Sequence, residues 1–175
     1  MNTIVVSYSL SGNNDALAGS IAKALGAEHI RIREQKNRNT GTIAVDLLLG
    51  RTPRVSPDAD RLAGGDMVVF VGPVWMKCVA TPFRVFFKRL REHPVPYAYV
   101  SISGGALGPN PNLAKELTKR LGMAPVSLVD MHIADLLPIE KPSMKDTGDY
   151  RLTPEDNVKL TDLAVRELQS AMATK

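Results

Sequence analysis

The sequence predicts an α/β fold, a doubly wound parallel sheet of five strands in the order 2-1-3-4-5 with helices on both faces. Three observations lead there. Short β-like runs alternate with helical patterns along the whole chain. Residues 67–71 (Met-Val-Val-Phe-Val) are continuously apolar, as in a strand covered on both faces. No repeat, low-complexity tract or linker breaks the alternation, so the 175 residues read as one domain, 1–175.

Residues 3–8 read as the first strand. Residues 13–25 follow as a helix with Leu17, Ile21, Ala24 and Leu25 on one face and Gly26 as its stop. At 29–33, Ile30 and Ile32 alternate with Arg31 and Arg33, the pattern of a strand near a sheet edge. After the apolar third strand, Thr81-Pro82 reads as an N-cap with proline at the first helical position. The helix it opens carries Phe83, Phe86, Phe87 and Leu90 on one face and Arg84, Lys88 and Arg91 on the other. Residues 97–103 are a fourth strand. Leu113, Leu117 and Leu121 stripe a helix ended by Gly122, and 126–131 are a fifth strand. Thr153-Pro154-Glu155-Asp156 opens a last helix that buries Leu160, Leu163, Ala164 and Leu168. Two stretches lack a clear pattern: 36–61, with one weak helical pattern at 43–49, and 132–152. Segments this long often wrap a site.

Composition narrows the function classes. One cysteine, Cys78, excludes an intramolecular disulfide and a multi-cysteine zinc site. His29, His93 and His132 lack metal-ligand spacing, so no metal is expected. No secretory signal or membrane-length apolar run is evident, and the expectation is a cytoplasmic protein without membrane insertion. The net charge of +4 favours acidic partners. Its dispersed basic residues and few aromatics give no nucleic-acid signature.

In a doubly wound sheet, ligands bind beyond the carboxyl ends of the strands, where the strand order reverses. The loops after the first, third and fourth strands should meet there. The first reads Ser9, Leu10, Ser11, Gly12, Asn13, Asn14: hydroxyls, amides and a glycine at a helix N-terminus, where unpaired N–H groups and the helix dipole favour an anion. The same residues also suit a simple cap. The second loop, Gly72, Pro73, Val74, Trp75, Met76, Lys77, holds the only tryptophan, which can stack on a planar heterocycle or fill a gap beneath the loop. The third, Ser103, Gly104, Gly105, Ala106, Leu107, Gly108, exposes backbone to a neighbouring ligand or makes a tight turn. No Gly-Lys-Ser/Thr occurs, which excludes a P-loop. The ends of the first and third strands carry no acidic cluster, which excludes a receiver domain.

These three motifs, in this order, resemble the flavodoxin family. Its phosphate loop runs Ser/Thr-x-Ser/Thr-Gly-Asn-Thr after a short apolar strand; Ser9 to Asn13 match, and Asn14 replaces the last threonine. Gly72-Pro73-Val74-Trp75 and Pro82-Phe83-Arg84-Val85-Phe86 resemble the second flavin loop and the helix after it, and Ser103-Gly104-Gly105 the third loop. The resemblance implies the short form of a flavodoxin-like three-layer sandwich with FMN as cofactor. It also implies that Ser9, Ser11, Gly12, Asn13 and Asn14 hold the phosphate, while Pro73, Val74, Trp75, Met76, Lys77, Ser103, Gly104 and Gly105 bracket the isoalloxazine ring.

Three roles follow from that resemblance: an oxidoreductase passing electrons from NAD(P)H or a partner to a quinone-like or other small acceptor; an electron shuttle docking to an acidic redox protein; or a flavin-free binding member of the fold. Shuttles of the family are typically acidic, so a pI near 9.3 runs against the usual docking mode. Flavin carries the electron chemistry itself, so no catalytic acid or base is assigned. Cys78 has no neighbouring histidine in sequence to activate it and reads as a small apolar residue. Tyr97 and Tyr99, two apart, share one face of a strand.

Overall fold

The computed structural model describes residues 1–34, 46, 49–106 and 108–173. The helical pattern read at 43–49 lies outside them apart from positions 46 and 49, and so does Leu107 of the third loop.

β1 (Thr3–Ser7) is buried along its length and leads through the first loop into α1 (Asn13–Leu25). Gly26, at φ 61°, ends that helix. Its N–H donates to the Lys23 carbonyl and the next N–H to that of Ala22, a left-handed cap that a side chain would strain. β2 (Glu28–Arg31) follows, then β3 (Arg33–Glu34), which pairs antiparallel with β4 (Val55–Ser56). β5 (Met67–Val71) is fully buried. β6 (Val74–Trp75) and β7 (Cys78–Val79) form a two-residue hairpin, and a 3₁₀ turn, Thr81–Phe83, leads into α2 (Arg84–Glu92). β8 (Tyr97–Ser103), α3 (Leu113–Leu121), β9 (Ser127–His132), a 3₁₀ turn at Ile133–Leu136, α4 (Met144–Asp149) and α5 (Pro154–Ala173) complete the chain.

The main sheet runs β2-β1-β5-β8-β9, every pair parallel, which is the expected 2-1-3-4-5 order. The side-chain period of two divides the core between its faces. Ile4, Val6, Val68, Phe70, Tyr97 and Tyr99 pack against the aromatic stripe of α2 and the leucines of α3. Val5, Val69, Val71, Val100 and Ile102 pack against Leu17 and Ile21 of α1 and Leu160, Ala164 and Leu168 of α5.

Several expectations are corrected. The strand expected over 29–33 divides: β2 ends at Arg31, the buried Ile32 donates its N–H to the Ser7 carbonyl at 2.7 Å, and the chain then turns away to meet β4. Thr81 caps no α-helix, because the 3₁₀ turn intervenes and Phe83 holds the cap position of α2. Ala24 is exposed, and Leu163, at 38% exposure, faces solvent instead of the core. The capping box at the last helix does form. Thr153 Oγ1 accepts from the Asp156 N–H, and Asp156 Oδ2 accepts from the Thr153 N–H.

Candidate functional site

The carboxyl ends of β1, β5, β8 and β9 open on one side of the sheet, and the loops that leave them enclose a cavity of about 420 Å³. Each wall is set by a local feature of the sequence.

At the start of α1, Gly12 (φ 93°) holds the N-cap position in a left-handed conformation that favours glycine. Ser9 Oγ accepts from the Gly12 N–H (2.9 Å) and Ser11 Oγ from the Asn13 N–H (3.5 Å). Each hydroxyl therefore keeps its own hydrogen to donate. The first helical bond runs from the Ala16 N–H to the Gly12 carbonyl, so the N–H groups before it have no helical acceptor. Leu10, Ser11 and Asn14 line the cavity, while Ser9, Gly12 and Asn13 lie behind its lining.

The two asparagine side chains do something the sequence reading did not foresee. β8 runs on past its last pairing with β5, at Val71 and Val100, which leaves the Ile102 main chain without a β5 partner. Asn14 supplies one: its Nδ2 donates to the Ile102 carbonyl (2.9 Å), and its Oδ1 accepts from the Ile102 N–H (3.1 Å). Asn13 makes the same kind of two-point bond to the Tyr150 carbonyl (3.0 Å) and the Leu152 N–H (3.2 Å). Both amides, counted as phosphate donors from sequence, are engaged in pinning the helix start to β8 and to the approach to α5. Asp15, next in line, accepts from Ser7 Oγ at 2.6 Å; that oxygen also lies 2.9 Å from His29 Nε2.

The second loop is the β6–β7 hairpin. Met76 (φ 47°) and Lys77 (φ 65°) occupy its two-residue turn, a left-handed conformation usually reserved for Asn and Gly that costs of order 1–3 kcal/mol per residue. Its base is held by Tyr99, whose buried hydroxyl donates to the Gly72 (3.1 Å) and Pro73 (3.4 Å) carbonyls; burial pushes this phenol well up, so it stays a donor. Its tip is held by Asn110 Nδ2 on the Lys77 carbonyl (2.8 Å). Pro73, Val74, Trp75, Met76 and Lys77 all line the cavity. Trp75 is half-buried with its ring edge-on to Tyr8, centroids 5.6 Å apart, so it both packs beneath the loop and faces the cavity. Cys78 lies outside the cavity; burial first, then the neighbouring Glu116, pushes its thiol up, which suits the reading as a non-nucleophile.

Ser103, Gly104 and Gly105 supply the third wall. Gly105 (φ 77°) sits against His132: a β-carbon there would lie 2.4 Å from the histidine Cβ. His132 and Asp130, from the end of β9, also line the cavity and were missed from sequence. His132 Nε2 is 3.5 Å from Asp130 Oδ2 and its Nδ1 is 3.7 Å from Asp135, while Asp130 Oδ1 accepts from Ser101 Oγ at 2.6 Å. Their signal was the strand period, which puts residues two apart at a strand end on one face. The pattern-poor stretch 132–152 closes the cavity, as its length suggested, with Met144, Thr147 and Gly148 of α4. At the mouth, Leu10 (54% exposed), Met76 (61%) and Met144 (70%) form an apolar rim.

Among the described residues no group of three His, Cys, Asp or Glu could hold a metal ion, and no helix is long and apolar enough to cross a membrane.

Neither a protein-family model nor a curated protein matches the sequence. Solved structures do match in fold. A flavoprotein from Lactobacillus acidophilus, crystallised in complex with FMN, superposes with a TM-score of 0.63 at 19% identity, over 74% of this chain and 92% of its own. The Trp repressor binding protein of Bacillus subtilis gives 0.56 at 15% identity, over 95% and 98%. A flavodoxin from the Archaea gives 0.52 at 15%, over 98% and 99%. The chain has the flavodoxin-like fold.

Proposed function

We propose that the chain binds FMN in this cavity and acts as a flavin oxidoreductase, passing electrons from NAD(P)H to a quinone-like or other small acceptor. The observation that carries the reading is the convergence of the three loops on one cavity whose first wall is a helix start, with N–H groups that have no helical acceptor.

The residues present fit such a cofactor. A phosphate would meet the first-turn N–H groups of α1 and the free hydroxyl hydrogen of Ser11, charge being balanced by the helix dipole, since no cation lies in that loop. A flat ring would lie between the Trp75 hairpin and the Ser103-Gly104-Gly105 wall, where the missing β-carbons let Thr147 and His132 pack close behind the backbone. The apolar rim of Leu10, Met76 and Met144 would cover its hydrocarbon edge. Bound there, FMN would supply the redox chemistry, a two-electron relay between NAD(P)H and a quinone. The chain's own part is to bind, orient and tune. His132 and Asp130 line the cavity, with Nε2 and Oδ2 3.5 Å apart. Lys77 lines the cavity, and its ammonium near a bound ring would favour the reduced, anionic form.

Two measurements follow. Protein loaded with FMN should oxidise NAD(P)H faster when a quinone is added; electron transfer to an acidic redox protein alone, with no quinone turnover, would favour the shuttle role. Lys77→Met should lower the flavin midpoint potential by about 30 mV, the size of a 1.4 kcal/mol effect on a two-electron couple. An unchanged potential would remove Lys77 from the account.

A further inference from the structure

A second cavity, about 890 Å³, lies on the other side of the β6–β7 hairpin, between α2 and α3. Its charge is lopsided. Among the described residues, Lys77, Arg84, Lys88, Arg91, Lys119 and Arg120 line it against two carboxylates, Glu92 and Glu116. Both carboxylates are occupied. Glu116 accepts from Arg120 Nε (2.6 Å) and the Val79 N–H (3.1 Å), and Glu92 Oε1 is 4.0 Å from Lys88 Nζ. Among the described residues no carboxylate pairs with Lys77, Arg91 or Lys119.

Arg84, Lys88 and Arg91 stand at i, i+4 and i+7 on one face of α2, so their mutual repulsion is built into the helix. Arg84 is the most constrained. Its Nη1 donates to the Asp46 and Arg51 carbonyls, and its Nε is buried without a partner. Burial and the facing Arg120 both disfavour its charge. Like charges gathered in a cleft focus field on an anion. A concave site with cations on both walls suits a compact polyanion better than the broad surface of a protein, which needs about 800 Å² per partner.

The position adds the second half of the argument. Lys77, at the hairpin tip, lines both this groove and the three-loop cavity, so the two meet at one side chain. We propose that the groove binds the phosphates of the dinucleotide electron donor, and that it selects the donor carrying a third, ribose-linked phosphate, NADPH over NADH. This rests on the flavin reading above. The pyrophosphate carries two negative charges and a phosphomonoester adds between one and a half and two more, which matches a site with this excess of cations.

The test uses adenosine 2′,5′-bisphosphate, a redox-inert probe with the phosphomonoester, titrated calorimetrically into FMN-loaded protein. Saturable binding is expected. The double substitution Arg91→Glu/Lys119→Glu, at two exposed positions, should weaken the probe at least 10-fold and raise the NADPH KM at least 10-fold and the NADH KM by a smaller factor, while the FMN dissociation constant moves less than 2-fold. Arg91→Ala/Lys119→Ala should show the same pattern at smaller size. FMN bound with no probe binding, or probe binding indifferent to both double substitutions, would overturn the groove and leave the flavin reading intact. Probe binding with no FMN binding would overturn the flavin reading, and the donor role with it. Binding of polyglutamate in place of the probe would overturn the proposal in favour of an acidic protein.

Discussion

Gly72→Ala is expected to lose about 3 kcal/mol of stability or more, with a fall in thermal midpoint of at least roughly 6 °C. The added β-carbon would stand 2.3 and 2.5 Å from two carbons of the Phe83 ring and 3.3 Å from the Tyr8 carbonyl. Phe83 cannot yield, because it is fully buried and in ring contact with Tyr8, Phe70, Phe87 and Tyr99. The site goes with it. Gly72 hands β5 over to the hairpin, its N–H donating to the Val100 carbonyl and its own carbonyl accepting from Tyr99. Gly148→Ala is the control, since nothing lies within 4 Å of the added carbon; its stability should be unchanged or slightly higher. Thermal unfolding of the two variants side by side checks the claim, and a normal midpoint for Gly72→Ala would contradict this packing.

The second large effect is at Asn14. Asn14→Thr restores the residue the resembled phosphate loop carries, yet it should destabilise by about 3 kcal/mol, because the Ile102 N–H and carbonyl both lose their partner in a buried place. That corresponds to a thermal midpoint lower by roughly 6–12 °C. FMN affinity should not improve. If the variant were as stable as the parent and held FMN more tightly, Asn14 would be a phosphate donor in need of optimisation and not a tie between α1 and β8.

These two positions mark where the sequence was legible and where it was not. The third strand at 67–71 and the first helix at 13–25 stand as read, because continuous apolarity and a capped 3.6-residue period are local signals. The division of 29–33 was not readable. Its alternation was real, but β3 pairs with a strand some twenty residues further on, and nothing local encodes that partner. The hairpin at 74–79 hid for a different reason: its turn is Met76-Lys77, without the Gly or Asn that would announce positive φ. The three loops were found, and they do meet. The side-chain bonds of Asn13 and Asn14 were not readable, because a carboxamide donates and accepts equally well, and only the fold brings the Ile102, Tyr150 and Leu152 main chain beside them. His132 and Asp130 carry no metal-ligand spacing that would mark them in sequence; what places them in the cavity is their position at the end of the last strand.

In this account the carboxamides hold the frame, while the hydroxyls and main-chain N–H groups at the start of α1 would meet an anion. One measurement tests the central claim most directly, titration of the purified protein into FMN with flavin fluorescence as the readout. Saturable, one-to-one quenching is expected, much weakened for riboflavin, which lacks the phosphate that the start of α1 would hold. Flavin fluorescence unchanged by excess protein would contradict the account.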